Sequence, residues 1–137
     1  MARNLRVRVD HTVCVGNAMS MGALLLSGGG AANYLAFAQQ NGLRAPLIKL
    51  GSRGAAMIVN GTLYEVASPI VDVIDTTGAG DAFDAGFIDA LLDEADPLDC
   101  LHRACICGGL STRLAGALQG LPLREEIGDI YEQTYTS

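Results

Sequence analysis

The stretch Asp75-Thr76-Thr77-Gly78-Ala79-Gly80-Asp81-Ala82-Phe83-Asp84-Ala85-Gly86 is the most informative part of this sequence. A β-prone run ends at Ile74, a turn of small residues follows, and a helix is predicted from Gly78 to about Leu92. Small residues leave the N–H groups of the first helical turn uncovered, and these groups, with the positive end of the helix dipole, attract anions. Asp81 falls in the same turn, where the dipole favours its charged form. The stretch therefore combines an anion-binding turn with a carboxylate base, which is what phosphoryl transfer to a hydroxyl requires.

Two common phosphate-binding motifs do not fit this stretch. The dinucleotide pattern GxGxxG fails because Phe83 stands at the third glycine position, and the Walker pattern fails because the chain contains no Gly-Lys pair. The spacing alone leaves another interpretation open, namely an ordinary Gly-rich turn followed by a helix that has Asp81 in its first turn.

Length and composition limit the class of protein. The chain has 137 residues, 50% of them hydrophobic, which is typical of a single globular domain and excludes disorder for most of the chain. Nine Lys and Arg against fifteen Asp and Glu give a net charge of −6, so the basic footprint of a nucleic-acid-binding protein is missing. No run reaches the roughly 18 apolar residues of a membrane span. We therefore expect neither a nucleic-acid nor a membrane partner.

The rest of the chain alternates between predicted helices and strands. Ala31–Gln40 is predicted as a helix that stops at Gly42, and Asn60-Gly61 as the turn of a hairpin, because both turn positions tolerate a positive φ. The helix from Gly78 is apolar around much of its circumference, which predicts burial on most sides. The other predicted strands are Leu5–Val9, Leu47–Leu50, Ala55–Val59, Leu63–Ala67 and Val71–Ile74, and the other helices are Pro97 to about Leu114 and a short one from Pro122. This alternation predicts a layered α/β domain.

The cysteines indicate a reducing environment. Cys14, Cys100, Cys105 and Cys107 have the spacing of neither a metal-binding motif nor a disulfide framework. We interpret them as small buried apolar residues in a reducing cytosol. The arginines and apolar residues near the N-terminus loosely resemble a secretion signal, but Asp10 interrupts the pattern, so we predict a cytoplasmic protein.

Residues 75–86 resemble the second signature of the ribokinase-like (PfkB) carbohydrate kinases, which pass phosphate from ATP to a sugar hydroxyl. The resemblance implies that Asp81 is the catalytic base. It also implies that the backbone of Gly78, Ala79 and Gly80 forms the anion hole for the transferred group.

The same resemblance implies cofactors. ATP and Mg²⁺ are expected, and Asp75 and Thr77 fall where family members often hold a monovalent cation such as K⁺. Asp84 stands where many members carry Asn, which is a departure from the family pattern.

Two flanking segments resemble the family in order and spacing. Residues 49–55, Lys-Leu-Gly-Ser-Arg-Gly-Ala, resemble its nucleotide-binding strand and turn, with glycines that let the backbone approach ATP and a positive charge on Arg53. Residues 104–122 resemble the helix and loop beside the adenine. Taken alone, the first segment is a common turn, and small residues such as those of the second are more often helix-packing positions. The implied nucleotide-binding residues are Gly51, Ser52, Arg53, Gly54, Cys105 and Gly109.

The resemblance covers about Tyr34 to Gln133, the C-terminal part of such a kinase. It implies the C-terminal half of a layered ribokinase-like domain, with helices packed on a mixed sheet. We assign residues 34–137 to the nucleotide-binding and catalytic region and leave residues 1–33 unassigned. The family's first half supplies most sugar contacts and an Asn-x-x-Glu motif linked to magnesium, and no Asn here has Glu three positions later.

Two functions remain open. One is a carbohydrate kinase, or its C-terminal catalytic half, which transfers the γ-phosphoryl group of ATP to a sugar or sugar acid with Asp81 as base. Lys49-Leu50-Gly51 is similar to the same strand of 2-keto-3-deoxygluconate kinases, which favours sugar acids. The other is a truncated, inactive nucleotide-binding or self-associating module, because half a fold exposes apolar surface that a homo-oligomer would cover. A third possibility is a purely structural α/β protein, which would bind no nucleotide.

Overall fold

The computed structural model describes residues 13–17 and 30–136, so the predicted strand Leu5–Val9 lies outside the described residues. The elements in chain order are strand β1 (Val13–Asn17), helix α1 (Gly30–Gln40), strand β2 (Ala45–Lys49), a 3-10 turn (Gly51–Arg53), strands β3 (Ala55–Val59) and β4 (Thr62–Val66), and helices α2 (Ala79–Leu92), α3 (Pro97–Ser111) and α4 (Arg124–Tyr135). None of the helices in these ranges is long and apolar enough to cross a membrane.

The four strands form one mixed sheet in the order β1-β2-β3-β4. β1 pairs in parallel with β2, whereas β2 with β3 and β3 with β4 are antiparallel. Asn60 (φ 49°) and Gly61 (φ 78°) join β3 to β4, and positive φ at both positions matches the twist of the two strands. The predicted mixed sheet and hairpin are therefore confirmed.

Helices cover both faces of this sheet. Because side chains alternate along a strand, Leu47 and Met57 face a core with Phe83, Phe87, Leu101, Ala104 and Cys105 from α2 and α3. Their neighbours Ile48, Ala56 and Ile58 face Leu35 and Ala38 of α1. β2 and β3 are consequently buried on both faces, and the domain has three layers, as the predicted layered α/β fold requires.

The backbones of helices α2 and α3 approach each other closely because glycines lie where the two helices cross. A Cβ at Gly86 would lie 2.7 Å from Cys107 Sγ, and one at Gly108 would lie 3.2 Å from the carbonyl oxygen of Ala79. Cys107 at this crossing and Cys105 in the neighbouring core are free and buried, and burial raises the pKa of the Cys107 thiol to about 11 and that of Cys105 to about 12. These thiols stay protonated and pack as small apolar groups, as predicted.

The prediction of a strand at Val71–Ile74 is wrong. The N–H groups of Ile74 and Asp75 both donate to the carbonyl oxygen of Thr112, at 2.8 and 3.1 Å, so the end of this segment bonds to the residue after α3 and not to a strand. Helix α3 ends at Ser111, earlier than predicted. The N–H groups of Thr112 and Arg113 donate to the carbonyl oxygens of Gly109 and Leu110, three positions back, and not to those four positions back that would continue the α-helix.

The predicted burial of α2 on most sides is also wrong. The buried positions form one stripe, Ala82, Phe83, Gly86, Phe87 and Ala90. Ile88 and Leu92 lie outside this stripe and are 54% and 72% exposed. Helix α4 has 12 residues and is longer than the short helix predicted from Pro122. At its end, Tyr135 Oη donates to the carbonyl oxygen of Ala67 at 2.7 Å.

Candidate functional site

The turn before α2 presents backbone N–H groups at a helix start. Gly78 is the N-cap residue with φ 77°, a conformation that a glycine adopts without strain, and it has no side chain to cap the helix. Ala79 N–H donates to the carbonyl oxygen of Thr76 at 3.1 Å. First-turn N–H groups have no acceptor within the helix, so those of Gly80 and Asp81 face the end of the dipole that favours anions. Of the predicted anion-hole residues Gly78, Ala79 and Gly80, Ala79 therefore has its N–H bonded within the turn, and the role of the three residues stays a prediction.

Asp81 lies in this first turn with an exposed side chain. Within the described part of the chain, its carboxylate accepts no hydrogen bond from a side chain and forms no ion pair. An unpaired, solvated carboxylate beside uncapped N–H groups keeps its lone pairs available for an incoming hydroxyl group.

Asp75 ties this turn to the loop after α3. Its Oδ1 accepts hydrogen bonds from Thr77 N–H (2.9 Å) and Thr77 Oγ1 (2.6 Å), and its Oδ2 accepts one from Gly116 N–H (2.8 Å). The Thr77 hydroxyl, followed by the two N–H donors, lowers the pKa of Asp75 to about 2. Gly78 also packs on Ala117 of that loop, since a Cβ at Gly78 would lie 2.8 Å from Ala117 Cβ.

Lys49 joins the same turn from the sheet. It is the last residue of β2, and its Nζ donates to the carbonyl oxygen of Gly80 at 2.9 Å. The same Nζ lies 2.8 Å from Asp84 Oδ1 and 5.3 Å from the centroid of the Phe83 ring. The ammonium group is therefore held against the first two turns of α2.

The turn after β2 divides into an exposed part and a buried part. Gly51, Ser52 and Arg53 are exposed, and Gly51 has φ 62° with open space around it. Gly54 is buried, and a Cβ there would lie 1.8 Å from the carbonyl oxygen of Val66. The local reason for glycine at position 54 is therefore this close backbone approach.

The predicted residues of α3 lie in different surroundings. Cys105 is 2% exposed and packs in the core between the sheet and α3, so a contact with an adenine base would require the surface above it to open. Gly109 lies one turn further along, where a Cβ would be 3.1 Å from Pro69 Cγ. This glycine lets the chain before Ile74 run close to α3.

The described residues offer few side-chain ligands for a metal ion. Among them, no three His, Cys, Asp or Glu side chains come together as a metal site. A carboxylate has about four lone-pair directions, and three of those on Asp75 already accept hydrogen bonds. A monovalent cation at Asp75 and Thr77 would be limited to the remaining direction, so we derive no chemical step from it.

Sequence reasoning found the turn but missed two of its neighbours. Lys49 is separated from Gly80 by 31 positions, and no local pattern signals that contact. Thr112 was not singled out either, although its carbonyl oxygen holds the backbone of Ile74 and Asp75. The one available signal for Lys49 is a charged residue at the end of an otherwise apolar strand.

Comparison with known proteins identifies the family. A family model described as pfkB family carbohydrate kinase matches residues 20–124, and the chain belongs to this family. Ribokinase from Arabidopsis thaliana is 34% identical over 88 residues, which are 63% of this chain and 23% of that protein. 2-Dehydro-3-deoxygluconokinase from Bacillus subtilis is 37% identical over 81 residues, which are 58% of this chain and 25% of that protein.

The fold is shared with a solved carbohydrate kinase. Fructokinase from Vibrio cholerae O395, in its fructose, ADP and calcium ion bound form, superposes with a TM-score of 0.73 at 27% identity over 86% of this chain and 40% of that one. The predicted ribokinase-like α/β fold is therefore confirmed. The chain spans about a quarter of the length of the two curated relatives above.

Proposed function

We propose that this chain carries the nucleotide-binding and catalytic region of an ATP-dependent carbohydrate kinase, with Asp81 as the base. The observation that carries the proposal is the exposed Asp81 carboxylate in the same turn as the uncapped N–H groups at the start of α2. Family membership supports it, because the matched region includes this turn.

The residues of the turn have different roles in the proposed phosphoryl transfer. The Asp81 carboxylate accepts the proton of the acceptor hydroxyl group as that oxygen forms its bond to the γ-phosphorus, and the bond from this phosphorus to the bridging oxygen of ATP breaks, so that ADP leaves. The N–H groups of Gly80 and Asp81, helped by the helix dipole, stabilise the negative charge on the transferred group, and Gly78 allows close approach. ATP with Mg²⁺ would supply the phosphoryl group and neutralise part of its charge.

The nucleotide is proposed to lie along the edge formed by the turn after β2 and the end of α3. Gly51, Ser52 and Arg53 would approach it from one side, with the Arg53 guanidinium as a nearby positive charge and Gly54 holding the turn from behind. Gly109 would approach from the other side, where Cys105 would contact the base only once the surface above it opens. Residues 34–137 would then form one functional region. Exposure of Gly51, Ser52 and Arg53 supports a contact with a ligand at this edge.

The acceptor is proposed to be a sugar or a sugar acid. The similar fructokinase is described as bound to fructose and ADP, and a similar curated relative is a 2-dehydro-3-deoxygluconokinase. We propose a cytoplasmic location, because ATP is the donor and Cys100, Cys105 and Cys107 are free thiols.

The experiment that tests this function uses two separate measurements. ADP release is followed over a panel of sugars and sugar acids, and ATP affinity is measured by calorimetry. We expect Asp81→Asn to lower turnover by about 10²–10⁴-fold while ATP still binds, because the variant loses the proton acceptor and keeps the N–H groups. Asp129→Asn, which changes an exposed carboxylate on α4, is the matched control and should be as active as the unchanged protein.

Equal turnover of Asp81→Asn and the unchanged protein would contradict the base assignment. Absence of ATP binding in the unchanged protein would contradict the whole proposal.

A second candidate function is a module that binds nucleotide or self-associates without transferring phosphate. It is favoured by exposed apolar side chains around the turn, since Ile74 is 66%, Leu114 50% and Leu118 72% exposed. ATP binding without ADP release over the whole sugar panel would favour this second function over the first.

A further inference from the structure

Lys49 is an unusual residue for its position. Strand β2 is otherwise buried, and Lys49 follows Leu47 on the face covered by α2 and α3. Its side chain is only 18% exposed. Holding a lysine in this way costs rotamer freedom and hydration of the ammonium group, whereas a branched aliphatic residue would lose less rotamer freedom and no such hydration.

The position of the ammonium group is also electrostatically unfavourable without a partner. The N-terminus of a helix has positive partial charge and repels a cation. Asp84, one turn after Gly80 on α2, lies 2.8 Å from Lys49 Nζ and compensates this charge. Lys49 and Asp84 therefore form a pair in which the carboxylate holds the ammonium group against the helix start.

The hydrogen bond from Lys49 to the carbonyl oxygen of Gly80 affects the direction of the Asp81 N–H, one of the proposed anion-binding groups. The C=O of Gly80 and the N–H of Asp81 belong to one planar peptide unit, so fixing the direction of the first fixes the direction of the second. That N–H is one of the first-turn donors without an intrahelical acceptor.

We propose that Lys49 is a positioning residue, which orients the Gly80–Asp81 peptide unit so that the Asp81 N–H points at the bound phosphate. Asp84 serves the same end by holding Lys49 in place. This inference deepens the proposed kinase function and rests on it.

The test measures ATP affinity by calorimetry and the Asp81 amide by NMR in the ligand-free protein. Lys49→Met keeps the length and apolar stem of the side chain but removes the donor. We expect it to shift the Asp81 amide resonance, to speed exchange of that amide, and to weaken ATP binding by about 10-fold. Arg103→Met is the matched control, because it also removes a partly buried cation that pairs with two carboxylates, Asp93 directly after α2 and Asp99 on α3.

The control separates positioning from stability. Arg103→Met should lower the melting temperature by a similar amount and leave ATP affinity unchanged. If both variants weaken ATP binding equally, or if Lys49→Met changes neither the Asp81 amide nor ATP affinity, the proposal is wrong.

Asp84→Asn provides a second line of evidence that does not depend on the folding of Lys49→Met. We expect it to weaken ATP binding two- to fivefold. The double variant Lys49→Met, Asp84→Asn should bind ATP with the same affinity as Lys49→Met alone, because Asp84 acts through Lys49. Tighter ATP binding by Asp84→Asn would overturn the proposal, since it would indicate that the freed ammonium group contacts phosphate directly.

Failure of the proposed function gives a different result. If the unchanged protein binds no ATP, the kinase assignment fails. The NMR resonance and exchange rate of the Asp81 amide in Lys49→Met then show by themselves whether Lys49 orients the peptide unit.

Discussion

The Asp75 carboxylate connects two parts of the site through three hydrogen bonds. One oxygen accepts from Thr77 within the turn, and the other accepts from Gly116 in the loop after α3. These donors favour the charged carboxylate and lower its pKa from 3.8 to about 2. The turn that contains Asp81 is thus held on one side by Asp75 and on the other by Lys49.

The lowered pKa of Asp75 predicts a pH dependence of stability. The carboxylate stabilises the folded protein above the unfolded pKa of 3.8, and this contribution is lost as the pH falls through about 2. In urea unfolding at pH values from about 5 to about 2, we expect the unchanged protein to lose more stability than Asp75→Asn. Asp93 and Glu126 also have lowered pKa values, so the difference between the two proteins isolates Asp75. Equal losses would show that Asp75 is not held in its charged form.

Glycine is required at two neighbouring element boundaries for different local reasons. Gly51 is the first residue of the 3-10 turn and Gly54 directly follows this turn, and both have positive φ, 62° and 100°. Only Gly54 lies against another backbone segment, the end of β4 at Val66. The two positions therefore separate the cost of a positive φ from the cost of a steric clash.

Substitution of each glycine by alanine tests this difference. Gly51→Ala should destabilise the protein by about 1 kcal/mol, the cost of a left-handed conformation for alanine. Gly54→Ala should cost about 3 kcal/mol or more, because β4 must also move away from the new Cβ. The free energies of unfolding in urea measure both effects. Equal costs for the two variants would contradict the close approach at Val66.

Elements defined by short-range signals could be predicted from the sequence. Asn60-Gly61 determines its hairpin by the φ values that those residues tolerate, and Gly42 ends α1 in the same way, with φ 93°. The segment Val71–Ile74 could not be predicted, because a strand needs a partner strand and Ile74 N–H donates instead to the carbonyl oxygen of Thr112.

At the scale of the whole molecule, the described surface carries apolar side chains near the candidate site. Ile74 lies beside the end of α3 through its hydrogen bond to Thr112, and Leu114 and Leu118 follow in the loop that Asp75 holds. These three residues, which we call the loop patch, are each at least half exposed. An apolar patch of this kind is typical of a surface that meets a partner.

Self-association through the loop patch gives a prediction for the second candidate function. We expect the chain to sediment as a dimer or larger species at concentrations of tens of micromolar, and Leu118→Glu to shift it toward the monomer. Leu92→Glu is the matched control, because Leu92 is also 72% exposed but lies at the end of α2. A monomer at all concentrations would contradict the homo-oligomer, and dissociation by Leu92→Glu alone would assign the contact to another surface.

The sequence by itself determined the family and the site turn, because both depend on residues close together in the chain. The glycines and Asp81 of residues 75–86 specify a helix start with uncapped N–H groups through their own conformational preferences. The burial of Cys100, Cys105 and Cys107 also followed from residue type, because a free cysteine packs as a small apolar side chain.

Only the tertiary structure decided what holds that turn in place. Lys49 meets Gly80, and Asp75 meets Gly116, across 31 and 41 positions of chain. It also decided which side of α2 is exposed, since the apolar Ile88 and Leu92 find no covering element among the described residues. The physical reason is that local preferences limit each residue's own backbone, whereas a contact between distant residues depends on how the layers pack together.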